Sequence, residues 1–377
     1  MSDDDIQLEL ISEPSTPART VAKSFEAARL TQARVLRGLT KAALADLVGV
    51  TPAAIGQFEA RITTPRAELL TKLALELDVP VEFFATGRPM AELDAAEAHF
   101  RSLRSTRASD RARAASFVEQ VWELSFALEK RVQFPEIDLP EITPGTEPAE
   151  AARALRAAWG ISPGPLPHLV ATIESRGVIV SILSLASQEV ARVDAFSTSS
   201  LGRPIIVVTP ERAQNVYRHR FTCAHELGHL LLHSDAAPGD LSQEREADAF
   251  AAEFLCPADQ IGPSLPSSMN LPSLERLSRR WGVSTQSLVR RMGELRTVSD
   301  SSVRRAYQRL RSVESLASDE PVSAYKGEMP SLLREAYKIA GEHGLSLADL
   351  ARDLRWQPRR VTEVLGMEDP RPALKLV

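Results

Sequence analysis

Cysteine is nearly absent from this 377-residue chain, with Cys223 and Cys256 the only two. Two thiols cannot build a disulfide framework, so a stapled secreted fold is excluded and a reducing compartment is expected. Aromatic residues make up only 5% of the chain, and no apolar run approaches the roughly 18 residues of a membrane span. The opening residues, MSDDDIQLELISEPSTP, lack the basic start and apolar stretch of a secretion signal. These absences predict a cytoplasmic protein with no membrane partner. The net charge of −5 gives no general attraction to nucleic acid.

Strand signal is scarce as well. GVIVSIL (177–183), VARVDAFS (190–197) and PIIVVT (204–209) are the only strand-like runs. The fold class is therefore multidomain and mostly α, with a small central sheet. Residues 1–20 read as a flexible acidic tail and 21–90 as a five-helix unit. Residues 91–145 read as a helical connector ending in the proline-rich FPEIDLPEITPGTEP, where Phe117, Val121, Leu124 and Leu128 form one helical stripe and Ser109 or Asp110 caps the helix. An α+β domain follows over 146–265, then accessory helices over 266–317 and a helical unit over 318–377. LADLVGVTPAAI (44–55), LSRRWGVSTQSL (277–288) and LARDLRWQPRRV (350–361) each predict a helix, a tight turn and a second helix.

The average charge hides a basic front. Between Thr16 and Arg66 eight basic residues (Arg19, Lys23, Arg29, Arg34, Arg37, Lys41, Arg61, Arg66) face three acidic ones (Glu26, Asp46, Glu59), or about +5. Thr40 and Thr51 suit helix caps, Pro52 suits a first helical position, and Gly49 suits the left-handed residue between them. Leu44, Val48, Val50, Ile55 and Phe58 supply a small core. This is a helix-turn-helix whose second helix would enter a major groove of double-stranded operator DNA. Ala53, Ala54 and Gln57 face the bases in this reading, with Lys41, Thr51 and Arg61 at phosphates. In the last of the three units Arg359 and Arg360 occupy the corresponding exposed positions, and packing or dimerisation is the expected role there.

Three of the seven histidines crowd into FTCAHELGHLLLHSD, residues 221–235. His225 and His229 lie one helical turn apart, about 6 Å along the axis, so both rings can reach one metal ion. Glu226 points off that axis and suits a general base. His233 sits roughly 12 Å beyond His225 on the same helix, too far to be a ligand, and a core or cap role is expected. On the next helix, SQEREADAFAAEFL, Glu244 borders the apolar stripe and is the expected third ligand. Asp248, one turn on, can fix a ligand imidazole by a hydrogen bond. Glu246 and Glu253 are expected to face solvent. Two histidines and a glutamate leave a position open for water, the arrangement of catalytic zinc. Zn2+ in such a site acidifies water and polarises a carbonyl, while Glu226 carries a proton from the water to the leaving amine. Tyr217, Arg220 and His233 are alternative donors to the oxyanion. Both cysteines read as buried apolar residues.

RFTCAHELGHLLLH followed by EREADAFAAEFLCP, with RGVIVSIL and DAFS upstream, resembles the ImmA/IrrE family of zinc metallopeptidases. The front resembles an Xre-type (Cro/repressor-like) helix-turn-helix. The resemblance implies a zincin-like central domain, His225, His229 and Glu244 as zinc ligands, and Glu226 as catalytic base. It also implies a regulator that hydrolyses a peptide bond in a helix-turn-helix repressor, itself or a partner, in a stress or mobile-element response. The alternative is a repressor or antitoxin-like protein whose peptidase fold serves as sensor or scaffold. A homodimer is expected.

Overall fold

The computed structural model describes residues 16–91, 93, 99–100, 107–183, 195–209, 213, 215–233, 240–314, 322 and 325–367. Residues 1–15 of the expected acidic tail and 190–194 of the expected second strand lie outside them. The chain divides into two compact units, one drawn from Met1–Glu92, Arg107–Gln133 and Ala336–Val377, the other from Leu93–Thr106 and Phe134–Glu335.

The first unit begins with α1 (Thr16–Lys23), α2 (Ala27–Leu36), α3 (Lys41–Val48), α4 (Pro52–Glu59), α5 (Ala67–Leu77) and a 3-10 turn at Val81–Phe84. The α3–α4 junction follows its local chemistry. Thr40 Oγ1 accepts from the Ala43 N–H and Thr51 Oγ1 from the Ala54 N–H, at 3.1 and 3.2 Å. Gly49 ends α3 in the left-handed region at φ 74°, which a side chain would strain. Leu44, Val48, Ile55 and Phe58 are buried beneath this corner, and Val50 is half-buried.

Helix α6 (Ala108–Glu129) packs against α2, and Phe117, Val121, Leu124 and Leu128 are fully buried as their spacing predicts. It starts before the expected caps: Arg107 occupies the N-cap position and makes no side-chain capping bond. Beneath the α2–α6 contact lies a buried polar cluster in which Arg29 pairs with Glu123 and Gln32 donates to Glu119 at 2.9 Å. Burial, with Arg29 close by, pulls the Arg88 guanidinium of this cluster down to about 9.

In the second unit β1 (His99–Phe100), β2 (Ile179–Ile182), β3 (Ala195–Thr198) and β4 (Ile205–Val208) form one sheet in the order β1-β3-β4-β2. β2 runs parallel to β4 with Ile179 opposite Ile205, and β3 runs antiparallel to β4 with Ala195 opposite Val208. Helices α7 (Pro148–Ala158), α8 (Leu169–Ser175), α9 (Val216–Leu232) and α10 (Leu241–Leu255) follow in the chain order expected. α9 lies on β3 and β4, α10 packs on α9, and α7 packs on α10. Strands that are buried throughout explain why β4 reads as a continuous apolar run.

The remaining helices are α11 (Ala258–Ile261), α12 (Leu271–Trp281), α13 (Thr285–Glu294), α14 (Asp300–Glu314), α15 (Leu332–Glu342), α16 (Leu347–Leu354) and α17 (Pro358–Val364). The three similar segments share one turn geometry. Gly49, Gly282 and Arg355 all adopt the left-handed conformation, at φ 74°, 64° and 52°. The next N–H bonds back to Ala45, Ser278 and Ala351 at 3.0, 3.2 and 2.9 Å. Arg355 takes the glycine's place because its guanidinium gains the carbonyls of Ala85 and Thr86, both at 2.9 Å.

Candidate metal centre and DNA-binding interface

Helix α9 starts at a side-chain cap, Asn215 Oδ1 accepting from Tyr217 and Arg218 N–H groups, and runs unbroken to Leu232. Gly228 is not a weakness in it. A Cβ there would lie 3.0 Å from Phe250 Cδ1 and 3.3 Å from Ala247 Cα, so glycine lets α10 approach closely. That approach brings Glu244 to the histidines.

The Nε2 atoms of His225 and His229 lie 3.0 Å apart. Glu244 places Oε2 at 3.5 Å from the first and Oε1 at 3.4 Å from the second. Burial acts to raise the Glu244 carboxyl, but hydrogen bonds and charge from His225 and His229 outweigh it and hold the pKa down to about 2. Asp248 Oδ1 sits 2.9 Å from His225 Nδ1, which fixes that nitrogen as the donor and turns the Nε2 lone pair inward. Tetrahedral ligands about 2.0–2.1 Å from zinc stand roughly 3.3 Å apart, so separations of 3.0–3.5 Å fit such an ion. The donor set itself, two imidazole nitrogens and a carboxylate converging on one point, is a group that could hold a metal ion.

Glu226 is fully buried, and the Ser197 hydroxyl of β3 donates to its Oε2 at 2.8 Å. Ser197 escapes the sequence reading because the pairing spans 29 positions and no motif marks a serine in a short apolar strand. The candidate oxyanion donors have other work. Arg220 is buried, pairs with Glu328, and donates to the carbonyls of Gly282 and Leu166 at 2.8 and 2.6 Å. Tyr217 meets Tyr325 hydroxyl to hydroxyl at 3.4 Å.

His233 is the C-cap of α9 and is buried, matching a core or cap place. Its ring also engages His229, Nδ1 to Nδ1 at 3.0 Å, and Glu246 at 3.0 Å. Glu246 keeps to the expected solvent side, its side chain 46% exposed, whereas Glu253 departs from it. Glu253 is buried and holds Arg153 and Arg291. The cause is that α10 is covered on two sides, by α9 and α7, where a single apolar stripe predicts one. Both cysteines are buried and unlinked, and burial pushes the Cys256 thiol up to about 12.

In the first unit Thr51, Ala53, Gln57 and Arg61 are exposed on or beside α4, and Ala54 is half-buried. Lys41 is half-exposed and lies 3.3 Å from Glu59, which also holds Arg34, while Arg61 pairs with Glu26. With Arg29 buried on Glu123, the charge presented outward is smaller than the sequence sum suggests. The matching helix α17 is occupied differently. Arg360 lies over the Phe117 ring and donates to Gln120 at 2.7 Å, and Arg359 pairs with Asp78. That face is used in packing.

Among the described residues no helix is long and apolar enough to cross a membrane. Residues 30–84 match the helix-turn-helix family, and residues 173–292 match the IrrE N-terminal-like domain, a peptidase family. No protein of curated description matches the chain. With a helix-turn-helix domain of DNA-binding type ahead of a metallopeptidase-type domain, the chain has the make-up of a regulator and combines, from N- to C-terminus, an Xre-type helix-turn-helix with an IrrE/ImmA-like peptidase domain.

Proposed function

We propose that this protein is a DNA-binding regulator whose second domain is a zinc-dependent endopeptidase. The reading is carried by the convergence of His225, His229 and Glu244 within one helix pair, with Glu226 buried beside them on the same helix. Zinc, when bound, supplies a Lewis acid for a peptide carbonyl and lowers the pKa of water towards ~7. Asp248 holds the His225 ring in its liganding tautomer. Glu226 is the base: its carboxylate takes the proton from water and passes it to the leaving amine, and Ser197 orients it from β3. His225, His229 and Glu226 are buried, which strengthens each of these interactions, while Glu244 and Asp248 stay 27% and 30% exposed on the open side of the site.

The substrate in this reading is a helix-turn-helix repressor, either a partner or a second copy of this chain, cut in a stress or mobile-element response in the cytoplasm. The front domain supports that choice by stationing the protease at operators where such repressors sit. Gln57 and Ala53 read bases, and Thr51, Lys41 and Arg61 hold phosphates. A homodimer on the operator belongs to the same reading.

The test is Glu226→Gln, which keeps size and removes the base. Zinc content should stay at wild-type level, cleavage should be lost, and the inactive protein should retain its substrate for identification by mass spectrometry. Target-gene control that persists unchanged in Glu226→Gln cells would instead favour a sensor or scaffold role for the peptidase fold.

A further inference from the structure

We infer that His233 and Glu246 are positioning residues for the metal centre, forming a relay that fixes His229 as Asp248 fixes His225. This rests on the zinc reading above and extends it to two residues outside the HExxH motif. Glu246 Oε2 is 3.0 Å from His233 Nε2, and a carboxylate accepts, so that nitrogen carries the hydrogen. The other nitrogen of a neutral His233 is then an acceptor. It faces His229 Nδ1 at 3.0 Å, and two ring nitrogens at that distance share one proton, so His229 Nδ1 donates. His229 Nε2 is left with its lone pair directed at His225 Nε2 and Glu244.

The two rings are buried, 1% and 3% exposed, with centres 5.1 Å apart. A His229 ring that ligates through Nε2 carries its hydrogen on Nδ1, which is the donor that the contact with His233 requires. The relay depends on where α9 stops. His233 leaves the helix at φ −128°, ψ 18° while its N–H still bonds the His229 carbonyl at 3.0 Å. The same residue thus closes the helix and orients the ligand. Helix α10 then supplies all three carboxylates: Glu244 towards the ion, Asp248 behind His225, and Glu246 behind the His229–His233 pair.

The experiment measures zinc affinity of the full chain by competition with a chromophoric chelator, for wild type, His233→Ala, His233→Gln and Glu246→Ala. Glutamine can accept from His229 through Oε1 and donate to Glu246 through Nε2, so it preserves the relay without an imidazole. His233→Ala should weaken zinc binding by roughly 10–100-fold, Glu246→Ala by a smaller factor, and His233→Gln should lie within about 5-fold of wild type. Zinc-free melting temperatures of the Gln and Glu246 variants should match wild type, separating positioning from folding. Wild-type affinity in His233→Ala, or a His233→Gln no tighter than His233→Ala, overturns the relay while leaving the metal site standing. A wild-type chain that binds no zinc overturns both.

Discussion

Gly228→Ala puts the closest approach in the peptidase unit under test. In an open helix this change stabilises by about 1 kcal/mol, because glycine carries the greater entropic cost. Here the added methyl would sit 3.0 and 3.2 Å from Phe250 Cδ1 and Cγ, and 3.3 Å from Ala247 Cα. Phe250 has no room to yield. It is fully buried and stacked on Phe254 at 5.6 Å, and Phe254 meets the edge of Trp159 at 5.9 Å. Overpacking of this kind costs roughly 1–3 kcal/mol, so it outweighs the propensity gain and leaves a net loss of about 1 kcal/mol. In a unit of roughly 200 residues that lowers the melting temperature by about 2–4 °C. The second consequence is at the ion. Relief comes by spreading α9 from α10 by a few tenths of an ångström, which moves Glu244 away from His225 and His229. Ligand distances tolerate only about 0.2 Å, so zinc affinity should fall as well. Urea unfolding of the zinc-free protein and chelator competition read the two effects separately. A Gly228→Ala protein more stable than wild type, with unchanged zinc affinity, would refute the claim that this glycine sets the helix spacing.

Burial pushes the Glu174 carboxyl up to about 7 against the pull of the Leu332 and Ser331 N–H groups, so the folded protein holds a proton that the unfolded chain releases near 4.5. Stability should therefore decline as pH rises from about 4.5 to 7, by up to about 3 kcal/mol for this group, and the difference between wild type and Glu174→Gln in urea titrations across that range isolates it. Replacing Lys41 and Gln57 together by alanine should weaken binding of the protein's own promoter DNA, with the loss shrinking at high salt for the lysine share; a gel-shift series equal to wild type at every salt concentration would remove α4 from the DNA interface.

Much of this architecture is legible along the chain. The caps at Thr40 and Thr51, the left-handed Gly49, the α6 stripe and the places of α7, β2 and β4 follow from local sterics and periodicity, which need only neighbouring residues, whereas β1 falls in a stretch expected to be helical. The one-turn spacing of His225 and His229 is local for the same reason. The Glu244 face is nearly so, since a single apolar stripe orients that edge of α10.

Other assignments depend on what approaches from elsewhere in the chain. Periodicity cannot reveal that α10 is covered by two helices, so Glu253 reads as solvated although it is buried on Arg291. A helix-by-helix reading places His233 too far to ligate, yet cannot supply Glu246 as the carboxylate that makes it a partner of His229. Ser197 reaches Glu226 only because β3 lies under α9. Arg360 is withdrawn from any groove by Phe117 and Gln120 of α6. The sequence by itself determined the helices, the turns and the two histidines that share a face, because backbone geometry places residues a turn apart without outside help. Only the tertiary structure decided which carboxylates and hydroxyls stand behind them, because a hydrogen bond across packed elements depends on their separation.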